Sequence, residues 1–147
     1  MSLQKTIEFD YIVAYKAREE VKVAALRMLK AALKNRQVEL LRELTDEDVV
    51  EIVGRQVKQR KESIEQFEAA GRTDLSARER DELVILEAYL PAQMSDEELA
   101  AAIEAAVAEV QASSMKDMGA VMKALMAAHK GRFDGAKASA AVRARLS

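Results

Sequence analysis

With 147 residues, one Pro, five Gly and no Cys, the chain can bury one sizeable core or two small ones, offers few places to break a helix, and excludes disulfides, thiolate metal sites and cysteine nucleophiles together. Its formal charge of −2 speaks against indiscriminate nucleic-acid binding. No run of about 18 apolar residues is present to span a bilayer, and acidic Glu8 and Asp10 stand where a signal peptide would be apolar, so a soluble, cytoplasmic, long-helical protein is expected.

Leu3, Ile7, Tyr11, Ala14 and Tyr15 recur at helical spacing and predict a first amphipathic helix ending near Lys16 to Glu19. A longer second helix is expected over Glu20 to Glu43, with Val23, Leu26, Leu29, Leu33, Leu40 and Leu44 inward. Thr45 with Asp48 forms a capping box, so a third helix starts at Asp46 and runs to Ala70 before Gly71. Its stripe is Val49, Ile52, Val53, Val57, Ile64 and Phe67, interrupted by Gln59, Arg60 and Lys61. A charge at that position must snorkel, pair with a carboxylate or serve a ligand, and pairing is favoured. Arg55, Lys58, Arg60 and Lys61 together form a candidate second basic patch.

Asp74 or Ser76 is expected to cap a fourth helix, with Leu83, Leu86, Tyr89 and Leu90 inward and Pro91 as its end. Composition then turns from Leu/Val/Ile-rich to Ala-rich, placing a boundary at Pro91 to Met94. Ser95 with Glu98 caps a fifth helix striped by Leu99, Ile103, Val107 and Val110. Ser114 with Asp117 caps a sixth, Met115 to His129, which Gly131 stops, and Asp134 caps a seventh, Gly135 to Leu146. The fold expected is all-α, a four-helix N-terminal lobe over residues 1–92 followed by a small three-helix lobe over 95–147.

Chemistry is sparse. His129 is the one imidazole, and its place at a helix end explains it without catalysis. No Gly-x-Ser-x-Gly elbow, nucleotide loop or His-x-x-x-His spacing occurs. The carboxylate pairs Asp46–Glu47 and Glu97–Glu98 sit at helix starts, where the macrodipole accounts for them. Met115, Met118, Met122 and Met126 read as core rather than as a groove. No catalytic residue, metal or cofactor is therefore assigned.

Charge is unevenly spread along the chain. Residues 1–75 hold 14 basic and 14 acidic side chains, residues 76–112 hold 2 and 9, and residues 113–147 hold 7 and 2. In the basic third, Lys130, Arg132 and Lys137 flank Gly131 and Gly135 at a helix end and a helix start, where backbone N–H groups and cations together can accept phosphate. Lys123 lies two turns back. The alternative is that both glycines only cap helices and the cations only solubilise the corner.

The corner Lys130-Gly131-Arg132-Phe133-Asp134-Gly135 and the string Ser113-Ser114-Met115-Lys116-Asp117-Met118-Gly119 closely resemble the GatB/YqeY family. The resemblance extends from about Ile7 to the end, through Leu26-Arg27-Met28-Leu29, Lys58-Gln59-Arg60-Lys61-Glu62-Ser63-Ile64, Ala70-Gly71-Arg72-Thr73-Asp74-Leu75 and Leu86-Glu87-Ala88-Tyr89-Leu90-Pro91. That domain occurs as small stand-alone bacterial proteins and as the tail of the B subunit of the glutamyl/aspartyl-tRNA amidotransferase. The resemblance implies a tRNA-contacting domain, since in the larger enzyme glutamine hydrolysis and amidation belong to other parts. Stand-alone members often carry the label of carbon-nitrogen ligase with glutamine as amido donor, inherited from that enzyme.

Three departures from the family pattern stand out: Ala24 and Ala25 where Ser and Thr are common, Ala127 where Pro is usual, and Phe133 in place of a small residue. Phe133 is expected to pack back toward Leu146 rather than to stack on a base. The expected function is a tRNA-binding accessory module, with Lys123, Lys130, Gly131, Arg132, Gly135 and Lys137 as its contacts. Its expected partners are tRNA and an aminoacyl-tRNA synthetase or amidotransferase component. The alternative is a helical adaptor for other proteins, using the acidic fourth and fifth helices or the Met series.

Overall fold

The computed structural model describes all of residues 1–147. It is all-α, with α1 Leu3–Lys16, α2 Glu20–Leu40, α3 Asp46–Ala69, α4 Thr73–Glu87, α5 Asp96–Val110, α6 Met118–His129 and α7 Gly135–Leu146, and no strand. At α3 and α5 the helix begins where the capping box in the sequence places it. The Thr45 hydroxyl accepts the Asp48 N–H at 3.2 Å while the Asp48 carboxylate accepts the Thr45 N–H at 2.8 Å. Ser95 and Glu98 repeat this at 3.1 and 3.2 Å.

Four boundaries differ from expectation, each for a local reason. α2 stops at Leu40 instead of Glu43, because Leu41 turns left-handed at φ 55 and its N–H returns to the Gln37 carbonyl at 3.0 Å. Arg42 is then drawn to Asp48, 2.6 Å away, and leaves the helical path. α4 begins at Thr73, capped by neither expected side chain: Asp74 pairs with Arg72 at 3.3 Å, and the Ser76 hydroxyl donates to the Thr73 carbonyl at 3.2 Å. It ends at Glu87 instead of running up to Pro91, because the chain tightens into turns in which the Tyr89 N–H donates to the Leu86 carbonyl at 3.1 Å and the Leu90 N–H to the Glu87 carbonyl at 3.0 Å. α6 starts at Met118 because Met115–Asp117 forms a 3-10 turn, with the Asp117 carboxylate accepting the N–H groups of Ser113 and Ser114 at 2.8 and 3.2 Å.

The chain divides into two compact units, Met1–Leu90 and Pro91–Ser147. In the first, Ile7 of α1, Leu26, Leu29 and Leu33 of α2, Val49, Ile52, Val53 and Val57 of α3, and Leu86 of α4 form one buried cluster. Each such side chain contributes roughly 1.5–3 kcal/mol by leaving water. Farther along α3, Arg60 is only 9% exposed. Its Nη1 lies 3.0 Å from Glu79 and 3.1 Å from Glu82, both on α4, and its Nη2 lies 3.2 Å from the Met28 sulfur. The charged gap in the α3 stripe is thus filled by an ion cluster within the α3–α4 packing.

The second unit has a smaller-featured core: Leu99, Ala102, Ile103, Ala106 and Val107 of α5, Val121 and Leu125 of α6, and Ala138, Val142 and Leu146 of α7. Alanines at the contact positions let these helices approach closely and bury less surface per residue. The stretch 91–94 is clasped to the turn between α6 and α7. The Met94 N–H donates to the Arg132 carbonyl at 2.8 Å, the Gln93 amide to the Gly131 carbonyl at 2.8 Å, and the Arg132 Nε to the Ala92 carbonyl at 2.9 Å. Those bonds make residues 91–94 part of the second unit.

Candidate nucleic-acid interface

Gly131 takes φ 77 after α6, and the Arg132 N–H returns to the His129 carbonyl at 3.1 Å, closing the helix in the manner a left-handed glycine permits. Arg132, half-buried, spends its guanidinium on the Ala92 carbonyl and stands 3.8 Å from Glu98. Lys137 pairs with Asp96. Gly135 is the first residue of α7, and the Asp134 carboxylate before it accepts the Ala136 N–H at 2.9 Å. The N-terminus of α7 is therefore satisfied by the chain's own carboxylate.

Of the corner residues singled out in the sequence, Gly131, Arg132, Gly135 and Lys137 are engaged in building the unit. The acidic first turn of α5, Asp96, Glu97 and Glu98, is what compensates them. The Ser95 backbone N–H and hydroxyl hold the Glu98 carboxyl below the usual carboxylate range, with a smaller contribution from Arg132. On α7, Arg145 is likewise paired, with Glu104 of α5. Acidic and basic segments that are far apart in sequence thus meet in one small unit, so the local excess of the last third is largely internal.

Lys123 and Lys130 are exposed, and so is Lys116 in the 3-10 turn. These three lysines recur every seven residues, Lys116 in the 3-10 turn, Lys123 on α6 and Lys130 just past its last residue. Lys116 and Lys123 meet no acidic side chain, and on α7 neither does the exposed Arg143. Sequence reasoning named Lys123 and Lys130 but passed over Lys116; the repeat of seven was the available signal.

The second patch is dispersed. Arg55 pairs with Glu51 one turn back at 2.7 Å, and Arg60 is withdrawn into the Glu79–Glu82 cluster, leaving Lys58 and Lys61 as its exposed cations. Arg60 therefore does not belong to an accessible patch, because α4 lays two carboxylates across it. Phe133 packs against the second core, in the cluster that contains Leu146. Met118 and Met122 also pack there, whereas Met115 and Met126 are exposed, so the Met series is core for only half its length. His129 ends α6 with its Nδ1 buried. No three His, Asp or Glu side chains converge to hold a metal ion, and no helix is long and apolar enough to cross a membrane.

Fold and surface together define an all-helical protein of two compact units, with exposed lysines among the surface side chains of the second. Comparison with known families places it further. The family model described as Yqey-like protein matches residues 4–146, and the chain belongs to that family. Among curated proteins it is similar to altered inheritance of mitochondria protein 41, mitochondrial, from Saccharomyces cerevisiae, 35% identical over 75 residues, covering 50% of this chain and 40% of the relative. The protein of the same name from Eremothecium gossypii is 33% identical over 107 residues, 71% of this chain and 58% of the relative. An uncharacterized Schizosaccharomyces pombe protein is 27% identical over 95 residues, 65% of this chain and 77% of its own length. The chain thus matches less than two thirds of the length of the first two relatives.

Proposed function

We propose that this protein is a non-catalytic accessory module that binds tRNA electrostatically through its three-helix C-terminal unit, with the four-helix N-terminal unit as its scaffold. The observation that carries this reading is the series Lys116, Lys123 and Lys130, three exposed cations seven residues apart in sequence, before, on and just after α6. Phosphate contacts of this kind position a nucleic acid without reading its bases. Lys116 lies within the Ser-Ser-Met-Lys-Asp-Met-Gly string, and Lys130 in the Lys-Gly-Arg corner, that resemble the amidotransferase tail. A role beside an aminoacyl-tRNA synthetase or amidotransferase component follows from that resemblance, with the amidation chemistry carried by the partner.

The test is tRNA binding by fluorescence anisotropy across a salt series. If three lysines meet phosphates, log affinity falls against log salt with a slope on the order of −2 to −3. The combined change Lys116→Ala, Lys123→Ala and Lys130→Ala should weaken binding to all tRNAs alike and flatten the slope. The pair Lys58→Ala and Lys61→Ala should leave both unchanged. Parental binding by the triple variant at equal salt would remove the series from the proposal, and the adaptor reading would then be the better one. Glutamine hydrolysis that follows the protein through repurification, and is lost on mutating one of its residues, would overturn the non-catalytic assignment.

A further inference from the structure

We propose that the outward face of α1 is a docking surface for an amphipathic helix of a partner protein, one that carries an acidic residue at each end of a short apolar stripe. The surface lies in the unit that does not hold the lysine series, so the proposal stands independently of tRNA binding. α1 is apolar on two sides. Its inner side buries Ile7 and Ala14 and packs Leu3 and Tyr11 against the first core. On the opposite side Phe9 is 57% exposed, and Ile12 and Val13 are each 49% exposed.

Positions 9, 12 and 13 fall on one stripe at helical spacing and together form a contiguous exposed apolar patch. By contrast, the outer side of α3 carries Glu51, Arg55, Lys58, Glu62 and Glu65. Lys5 lies one turn before Phe9, and Lys16 one turn after Ile12, on the same line; both are exposed and neither meets an acidic side chain.

Those two lysines select the occupant. A second copy of α1 laid antiparallel would bring Lys5 against Lys16 at both ends, and laid parallel it would bring each lysine against itself; like charges meet in either register. A bilayer is far wider than the stripe and would meet the exposed Glu8 carboxylate beside Phe9. A single helix about 10 Å wide sits between these flanks. Complementarity then requires Asp or Glu on the partner at two points about 16 Å apart, eleven residues of helix, with apolar residues between them.

Two synthetic 18-residue helical peptides make the test, identical in a leucine stripe and differing only in Glu or Lys at two end positions eleven residues apart. Binding of each to the full-length protein is read by anisotropy. The Glu-ended peptide should bind at least 10-fold more tightly. Phe9→Ser with Ile12→Ser should abolish that binding. Lys5→Glu with Lys16→Glu should invert the preference, a readout that survives even if the serine variant folds poorly. Equal binding of the two peptides, binding of neither, or no inversion would overturn the proposal. So would a dimer in sedimentation that Phe9→Ser dissociates, or flotation with phosphatidylserine-containing vesicles that Phe9→Ser abolishes.

Discussion

Arg60 sits at 9% exposure with Glu79 and Glu82 within about 3 Å, and the cluster is asymmetric in what its loss would do. Removing the cation leaves the buried Glu82 and the partly buried Glu79 without their shared partner, with only Arg78, 3.8 Å from Glu82, remaining nearby. Arg60→Ala should therefore cost about 3–5 kcal/mol in chemical denaturation, the range for breaking a buried pair. Arg60→Met with Glu82→Leu should recover most of that, because apolar replacements leave less charge buried. Tyr89 provides a pH-dependent counterpart. Its hydroxyl donates to the Asp10 carboxylate at 2.6 Å, and burial, with Asp10 second, raises its pKa. A group with a raised folded pKa contributes stability in full below its unfolded value, near 10, and loses it as pH rises toward the folded value. Thermal melts should fall above about pH 10, and Tyr89→Phe should flatten that fall. The inward position of Arg60 was legible from the α3 stripe. Its partners were not, because Glu79 and Glu82 come from another helix and the sequence does not say which face of α4 turns toward α3.

Helices α3 and α5 began where their capping boxes said, because the cap and its partner lie three residues apart and need nothing from elsewhere. The end of α2 was not legible for the opposite reason: nothing about Leu41 announces a left-handed residue. Two glycines test this local logic with opposite signs. Gly71 follows α3 at φ 72, and Gly54 lies inside α3; a Cβ at either would meet nothing within 4 Å. Gly71→Ala should therefore lose on the order of 1 kcal/mol from backbone strain alone. Gly54→Ala should gain about 0.5–1 kcal/mol from helix propensity and a less flexible unfolded chain. Urea denaturation of the two variants beside the parent reads both signs.

The unit Pro91–Ser147 is small and its core is built partly of alanine, whereas Met1–Leu90 buries Leu, Ile and Val along four helices. Small cores are marginal, so native-state hydrogen exchange should show amides of α5 to α7 opening at lower free energy than those of α2 and α3; equal protection would refute the ranking. Its charge is also a property of the folded whole. Residues 91–147 contain seven basic and seven acidic side chains, so the basic excess counted over 113–147 disappears once α5 is included. The proposed site is therefore the exposed lysines and not the glycine corner. The repeat of seven could be read from sequence; the pairing of α5 with the basic helices could not, because it depends on which faces meet.

The clasp between residues 92–94 and 131–132 also bears on the order of events when the chain folds. It ties ends some 40 residues apart, and closing so long a loop is unfavourable until the helices between have brought those ends together. The clasp should thus be absent from the transition state. Gln93→Ala, which removes the amide bonded to Gly131, should accelerate unfolding in proportion to the stability it removes while leaving the refolding rate unchanged, a φ-value near zero in stopped-flow measurements.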